Sequence, residues 1–181
     1  MSMNLAPPFT QASRLKASAG FTLIEVLVAA LVLGIGLLGL AGIQSLGLRS
    51  NQSAIQRSAA TMLADEIIDR VRANAQAAGS YDNRIGTDGN NCLAQACSPV
   101  DLADYDLSQW AKAIYQPQYP EKARLPSGSG IVCQDSSPDD GTPGDSACDG
   151  AGTAYAVKIW WDDNRTGDPD KFQRFTTSFM P

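Results

Sequence analysis

Residues 21–43 form a run of 23 residues that is apolar apart from Thr22 and Glu25. At the helical rise this is about 34 Å, enough to cross the hydrocarbon core of a bilayer. The twenty residues before it are polar, carry only Arg14 and Lys16 as charges, and end in Ala17-Ser18-Ala19-Gly20. Positive charge ahead of an apolar segment places the N-terminus in the cytoplasm. A secretory signal peptide has the same order, but its apolar region is shorter and its cleavage site follows that region. Glu25 is the feature that neither a plain anchor nor a secretory signal explains. A carboxylate in a spanning helix costs about 2.5–3.5 kcal/mol on insertion scales, so its presence points to a role.

The six residues Gly20-Phe21-Thr22-Leu23-Ile24-Glu25, between a short basic leader and a long apolar helix, resemble the class III signal of the type IV pilins and the type II secretion pseudopilins. The resemblance implies cleavage between Gly20 and Phe21 by a membrane prepilin peptidase, which then N-methylates Phe21. Gly fits a protease cleft because it has no side chain and accepts extended backbone. The resemblance also gives Glu25 an assembly role, in which its carboxylate meets the free amine of a neighbouring subunit. Such a buried pair chiefly sets register, since desolvation cancels much of the attraction. Gly34, Gly36, Gly39 and Gly42 fall within nine residues. They allow close helix packing in a membrane, and they weaken the helix where members of the family loosen it on assembly.

Helical patterning continues past the apolar run. Ile55, Ala59, Leu63, Ile67, Val71 and Ala75 recur every four residues with Met62 beside them, and Glu66 and Arg70 form an i,i+4 pair. One helix over 21–78 is expected, stopped by Gly79 and Ser80. Ser98-Pro99 reads as an N-cap followed by Pro at the first helical position, opening a short second helix over 99–115. Strands are expected at 130–133, at 155–161 where Tyr155, Val157, Ile159 and Trp161 alternate with Ala156, Lys158 and Trp160, and at 172–179. The fold class is α+β: a long N-terminal helix whose second half packs on a small antiparallel sheet of about three strands, the pilin fold. The expected segments are a removed leader 1–20, a membrane and filament-core half 21–48, and a globular head 49–181.

Composition closes off other functions. Histidine is absent, which removes the commonest general base and metal ligand, and no Gly-x-Ser-x-Gly motif is present; the chain is read as not an enzyme. Beyond Ile43, twelve Lys and Arg stand against eighteen Asp and Glu, so the exposed part is acidic and no nucleic-acid partner or DNA-uptake role is expected. Cys92, Cys97, Cys133 and Cys148 all follow the apolar run and read as two disulfides of a translocated domain. Of the three connectivities, 92–97 with 133–148 is adopted, and half a metal site at Cys92 and Cys97 is set aside for want of histidine. Asp162, Asn164, Thr166 and Asp168 alternate, with Gly167 in sixth place, like the front of a calcium-binding loop. The twelfth position is Gln173 rather than Glu, so a solvated turn is preferred and no cofactor is expected.

Three looser motifs, Leu33 to Gln44, Tyr105-Asp106-Leu107 with Trp110, and Leu125-Pro126-Ser127-Gly128, resemble the PilV family of minor pilins, the type IV pilus modification proteins. That resemblance implies a structural subunit that primes pilus assembly and supports adhesion or twitching motility. Its partners would be the prepilin peptidase, other minor pilins, the major pilin and the assembly platform. It would sit in the inner membrane with a periplasmic head before joining an extracellular pilus. A minor pseudopilin of type II secretion shares the signal and the helix and is the alternative.

Overall fold

The computed structural model describes residues 20–84, 91–115 and 124–181; the expected leader, apart from Gly20, lies outside the described residues. The chain divides into two units, Met1–Leu46 and Gly47–Pro181. In the first unit every side chain from residue 20 to residue 46 is exposed. Helix α1, Leu23–Ala73, runs unbroken through all four glycines of the apolar run. It is long and apolar enough to cross a membrane, and none of its apolar window is buried within the chain.

In the second unit α1 contributes Gln56, Ala60, Leu63, Ala64, Ile67, Ile68 and Val71 as its buried face. Leu63, Ile67 and Val71 stand where the periodicity puts them. Ile55 and Met62 do not: they are 69% and 62% exposed. A step of four residues advances about 40° beyond a full turn. A row with that spacing therefore winds off the buried face over a few turns. The α-helix also ends earlier than Gly79. It stops at Ala73, and a 3-10 turn over Ala75–Ser80 follows. Asn74, at φ −118° and ψ 39°, separates the two. Its side-chain amide donates to the Pro99 carbonyl at 2.7 Å and to the Tyr81 hydroxyl at 3.2 Å, holding the chain in its new direction.

Helix α2, Pro99–Ile114, begins as its sequence dictates: Ser98 Oγ accepts the Asp101 amide at 3.2 Å. Its buried residues Ala103, Leu107, Trp110 and Ile114 face the core, and Trp110 Nε1 donates to the Leu63 carbonyl of α1 at 2.8 Å. Strands β1 (Ser129–Gln134), β2 (Tyr155–Trp161) and β3 (Gln173–Phe179) form an antiparallel sheet in that order. Gly130 lets α2 approach β1, because a Cβ there would lie 2.6 Å from Trp110 Cη2 and 2.7 Å from Ile114 Cδ1. The core joins these α1 and α2 residues to Tyr81, Leu125, Val132, Tyr155, Val157, Ile159, Trp161 and Phe179.

β2 differs from a half-exposed strand, since all seven of its residues are buried. One face meets the core. The other, with Ala156, Lys158 and Trp160, lies under the β1–β2 connection, where Ile131, Cys133, Trp160, Cys148 and Phe172 form a second cluster. The outer edge of β1 is also covered. The Val132 carbonyl accepts the Asn83 amide at 2.8 Å, the Gln134 amide donates to Asp82 Oδ1 at 2.7 Å, and the Gln134 carbonyl accepts the Gly150 amide at 3.1 Å.

Candidate functional site

The N-terminal residues form a compact local device within the first unit. Gly20, Phe21 and Thr22 precede α1 and are not helical, so the Gly20–Phe21 bond lies in irregular exposed backbone. Phe21 is 81% exposed, and among the described residues, chain neighbours aside, no atom lies within 4 Å of where a Gly20 Cβ would be. Thr22 then starts the helix. Its carbonyl accepts the amides of Glu25 at 3.1 Å and Val26 at 3.3 Å, and its Oγ1 lies 3.4 Å from the Glu25 amide. Thr-x-x-Glu is the pattern of a capping box, and its forward half is in place here. The sequence carries this signal openly, though its chemistry is hidden behind the stronger motif that overlaps it. Glu25 therefore occupies the first turn, where the helix dipole favours a carboxylate. Its exposed side chain is free to meet a positive group outside the chain.

In the head, Cys92 is bonded to Cys97 and Cys133 to Cys148. The second bridge ties the β1–β2 connection back to the sheet, and a cation beneath completes the fastening. Lys158, fully buried, places Nζ 2.5 Å from Asp135 Oδ2, 2.7 Å from Asp140 Oδ1 and 2.9 Å from the Ser146 carbonyl. The Asp135 contact is one of charge, with no aligned hydrogen bond at Oδ2. Burial alone would lower the pKa of this ammonium; the close carboxylates of Asp135 and Asp140 outweigh it and hold the value above normal. Arg174 donates to the carbonyls of Asp139 and Gly141 from the neighbouring strand, and Asp149 accepts from Ser136. A single lysine inside an otherwise apolar strand was the available sign of this centre.

A second polar network joins α1, the 3-10 turn and α2. Tyr81 donates to Asp106 Oδ2 at 2.7 Å, and Arg70 reaches Asp106 Oδ1 and Glu66 Oε1, each at 2.8 Å. Burial tends to lower the Arg70 pKa, but these two carboxylates raise it overall. The Glu66–Arg70 pair expected from spacing is thus one arm of a larger junction.

Asp162, Asn164, Thr166 and Asp168 lie in the β2–β3 connection. Asp162 is buried, and its Oδ2 accepts the Gly167 amide at 2.6 Å. Burial raises its pKa, yet the amides of Gly167, Thr166 and Arg165 together bring it below normal. Asp168 accepts the Asp170 amide and pairs with Lys171 at 2.8 Å. These carboxylates serve the turn itself. Among the described residues, the acidic and sulfur groups close enough to share an ion are Cys133, Asp135 and Cys148. The two sulfurs of that group are bonded to each other, which removes them as thiolate ligands.

Residues 42–108 match the family described as type IV pilin Tt1218, and residues 15–41 match the prokaryotic N-terminal methylation motif. No curated protein and no solved structure gave a match. The first match spans the turn from α1 into α2 with the Arg70–Asp106 junction; the second contains Gly20, Phe21 and Glu25.

Proposed function

We propose, from the premise that this chain belongs to the type IV pilin family, that it is a minor pilin of the PilV kind. In this reading the prepilin peptidase cuts between Gly20 and Phe21 and methylates the new amine of Phe21. The bond sits in non-helical exposed backbone, as a protease substrate requires. Glu25 then takes the Phe21 amine of an adjacent subunit and so fixes the axial register between helices. Burial of both charges makes that pair selective more than strongly cohesive. The subunit waits in the inner membrane with its head in the periplasm, then joins other minor pilins and the major pilin through the assembly platform. In the pilus it primes assembly and supports adhesion and twitching motility.

The observation that supports this most is the segment Gly20–Glu25 at the start of a helix whose apolar window is wholly exposed. Mass spectrometry of the mature protein tests it. The expected terminus is N-methylated Phe21; a terminus beyond residue 43 would mean ordinary secretion and end this reading. Glu25→Gln should be cleaved and methylated normally yet recovered in pili at least about tenfold less, the factor that corresponds to 1.4 kcal/mol of lost subunit pairing. Co-purification with type II secretion pseudopilins in place of pilins would move the chain to that system.

A further inference from the structure

We propose that the cleft between Arg49 and Gln52 of α1 and the turn Asp163–Arg165 is a phosphate site that holds the headgroup of an anionic phospholipid. The proposal rests on the membrane-anchored reading above. The cleft is lined by Arg49, Gln52, Asp163, Asn164 and Arg165, all within the second unit. Guanidinium groups suit phosphate because their planar forks donate two parallel hydrogen bonds, and the carboxamides of Gln52 and Asn164 add neutral donors. Among the described residues, Arg70, Arg84, Arg124, Lys158 and Lys171 pair with carboxylates, whereas Arg49 and Arg165, like Arg57, Arg72 and Arg174, make no ion pair. Among the charged side chains that line the cleft, two guanidiniums face the single carboxylate of Asp163, with the buried Asp162 beneath the turn.

The turn is built to present its cation. Arg165 has φ +53°, in the left-handed region that disfavours a long side chain, and its amide bonds to the Asp162 carbonyl at 3.3 Å. Asp162 Oδ2 closes the turn on the Gly167 amide from below. Position identifies the anion. Arg49 is the first charged residue after Glu25 and follows Ile43 by six residues, about 9 Å at the helical rise. The headgroup layer is about 5–7 Å deep, so the Arg49 side chain reaches it by leaning back along the helix. No acidic residue occurs between Glu25 and Asp65, although the chain beyond Ile43 is acidic as a whole. Along α1 the local sign is therefore reversed where the chain leaves the bilayer, and an anionic lipid is the charge complement present there.

Native mass spectrometry of the full chain in neutral detergent, titrated with short-chain phosphatidylglycerol, phosphatidylcholine or inorganic phosphate, tests this. Phosphatidylglycerol should bind and phosphatidylcholine should not. The R49Q/R165Q variant should bind phosphatidylglycerol about tenfold more weakly and Asp163→Asn more tightly than the parent, with the head's tryptophan emission unchanged. Equal binding by parent and R49Q/R165Q, or equal binding of the two lipids, overturns the proposal. Displacement of the lipid by millimolar inorganic phosphate would assign the site to the free anion and also overturns it. Retention of an adjacent pilin subunit through Arg49 and Arg165, with no lipid bound, would make the cleft a protein contact. Membrane extraction separates this from the anchor itself: both variants should stay in the bilayer fraction, and a parent chain that does not would defeat the anchored reading instead.

Discussion

Replacing Lys158 by Met would leave the Asp135 carboxylate buried without its counter-charge while keeping the volume of the side chain. Both side chains are fully buried, with Nζ 2.5 Å from Oδ2. Removing one member of such a pair costs about 3–5 kcal/mol, because the survivor cannot return to water. Asp140 adds little, since its side chain is 45% exposed and water replaces the lost ammonium. Set against a typical total of about 5–15 kcal/mol, the substitution should remove about a fifth or more of the head's stability. The assay is urea unfolding of the full chain in micelles followed by tryptophan emission. Trp110, Trp160 and Trp161 are all buried in the head, so the signal reports that unit alone. The double variant K158M/D135N removes the stranded charge and keeps an oxygen for the Ser137 amide, which Asp135 Oδ1 accepts at 3.0 Å. It should recover about 2 kcal/mol relative to K158M. A K158M cost below about 1 kcal/mol, or a double variant no more stable than K158M, would refute the reasoning. The pH dependence has a definite sign. Because the folded pKa of Lys158 lies above its unfolded value, the pair's contribution is complete below about pH 10.4 and fades as pH rises through the folded value. The parent should therefore lose stability in alkali more steeply than K158M.

Tyr81→Phe should cost about 1.5–3 kcal/mol in the same assay, the range for a hydrogen bond to an ionised partner, here Asp106. Burial raises the phenol's pKa and the Asp106 contact adds to it, outweighing Asn74, so Tyr81 should resist ionisation when absorbance follows the other tyrosines in alkali. Gly130→Ala should destabilise by about 1–3 kcal/mol, because the added methyl displaces Trp110 and Ile114; its signature is a shift in tryptophan emission before unfolding.

Local chemistry was readable wherever one residue type enforces one geometry. Ser98-Pro99 starts α2 as expected, the apolar alternation of Tyr155–Trp161 makes a strand, and the apolar run continues as one helix. Failures came where tertiary partners decide. Ile55 and Met62 lost the core to Ala60, Ala64 and Ile68, because the sheet and α2 select one face, which a row spaced by four leaves at Ile55 and which Met62, beside that row, does not reach. Asn74 ended α1 through bonds to Tyr81, two turns on, and to Pro99, 25 residues away. The second face of β2 gave no sign of burial, since its cover is the polar connection 135–150 drawn inward by Lys158 and the Cys133–Cys148 bridge. At the candidate site, Gly20, Phe21 and Glu25 were legible as a contiguous motif. The cleft at Arg49 and Arg165 was not, because 115 residues separate its two cations.

The covered edge of β1 bears on how such a protein survives crowding. Sheets join laterally through bare backbone, and indefinite stacking needs two open sides on every molecule. Here Asn83, Asp82 and Gly150 occupy one side, leaving β3 with no further strand beyond it among the described residues. A molecule of this kind can pair once through β3 and then terminates the chain of sheets. Lateral growth from sheet to sheet between such heads is thereby capped at a pair.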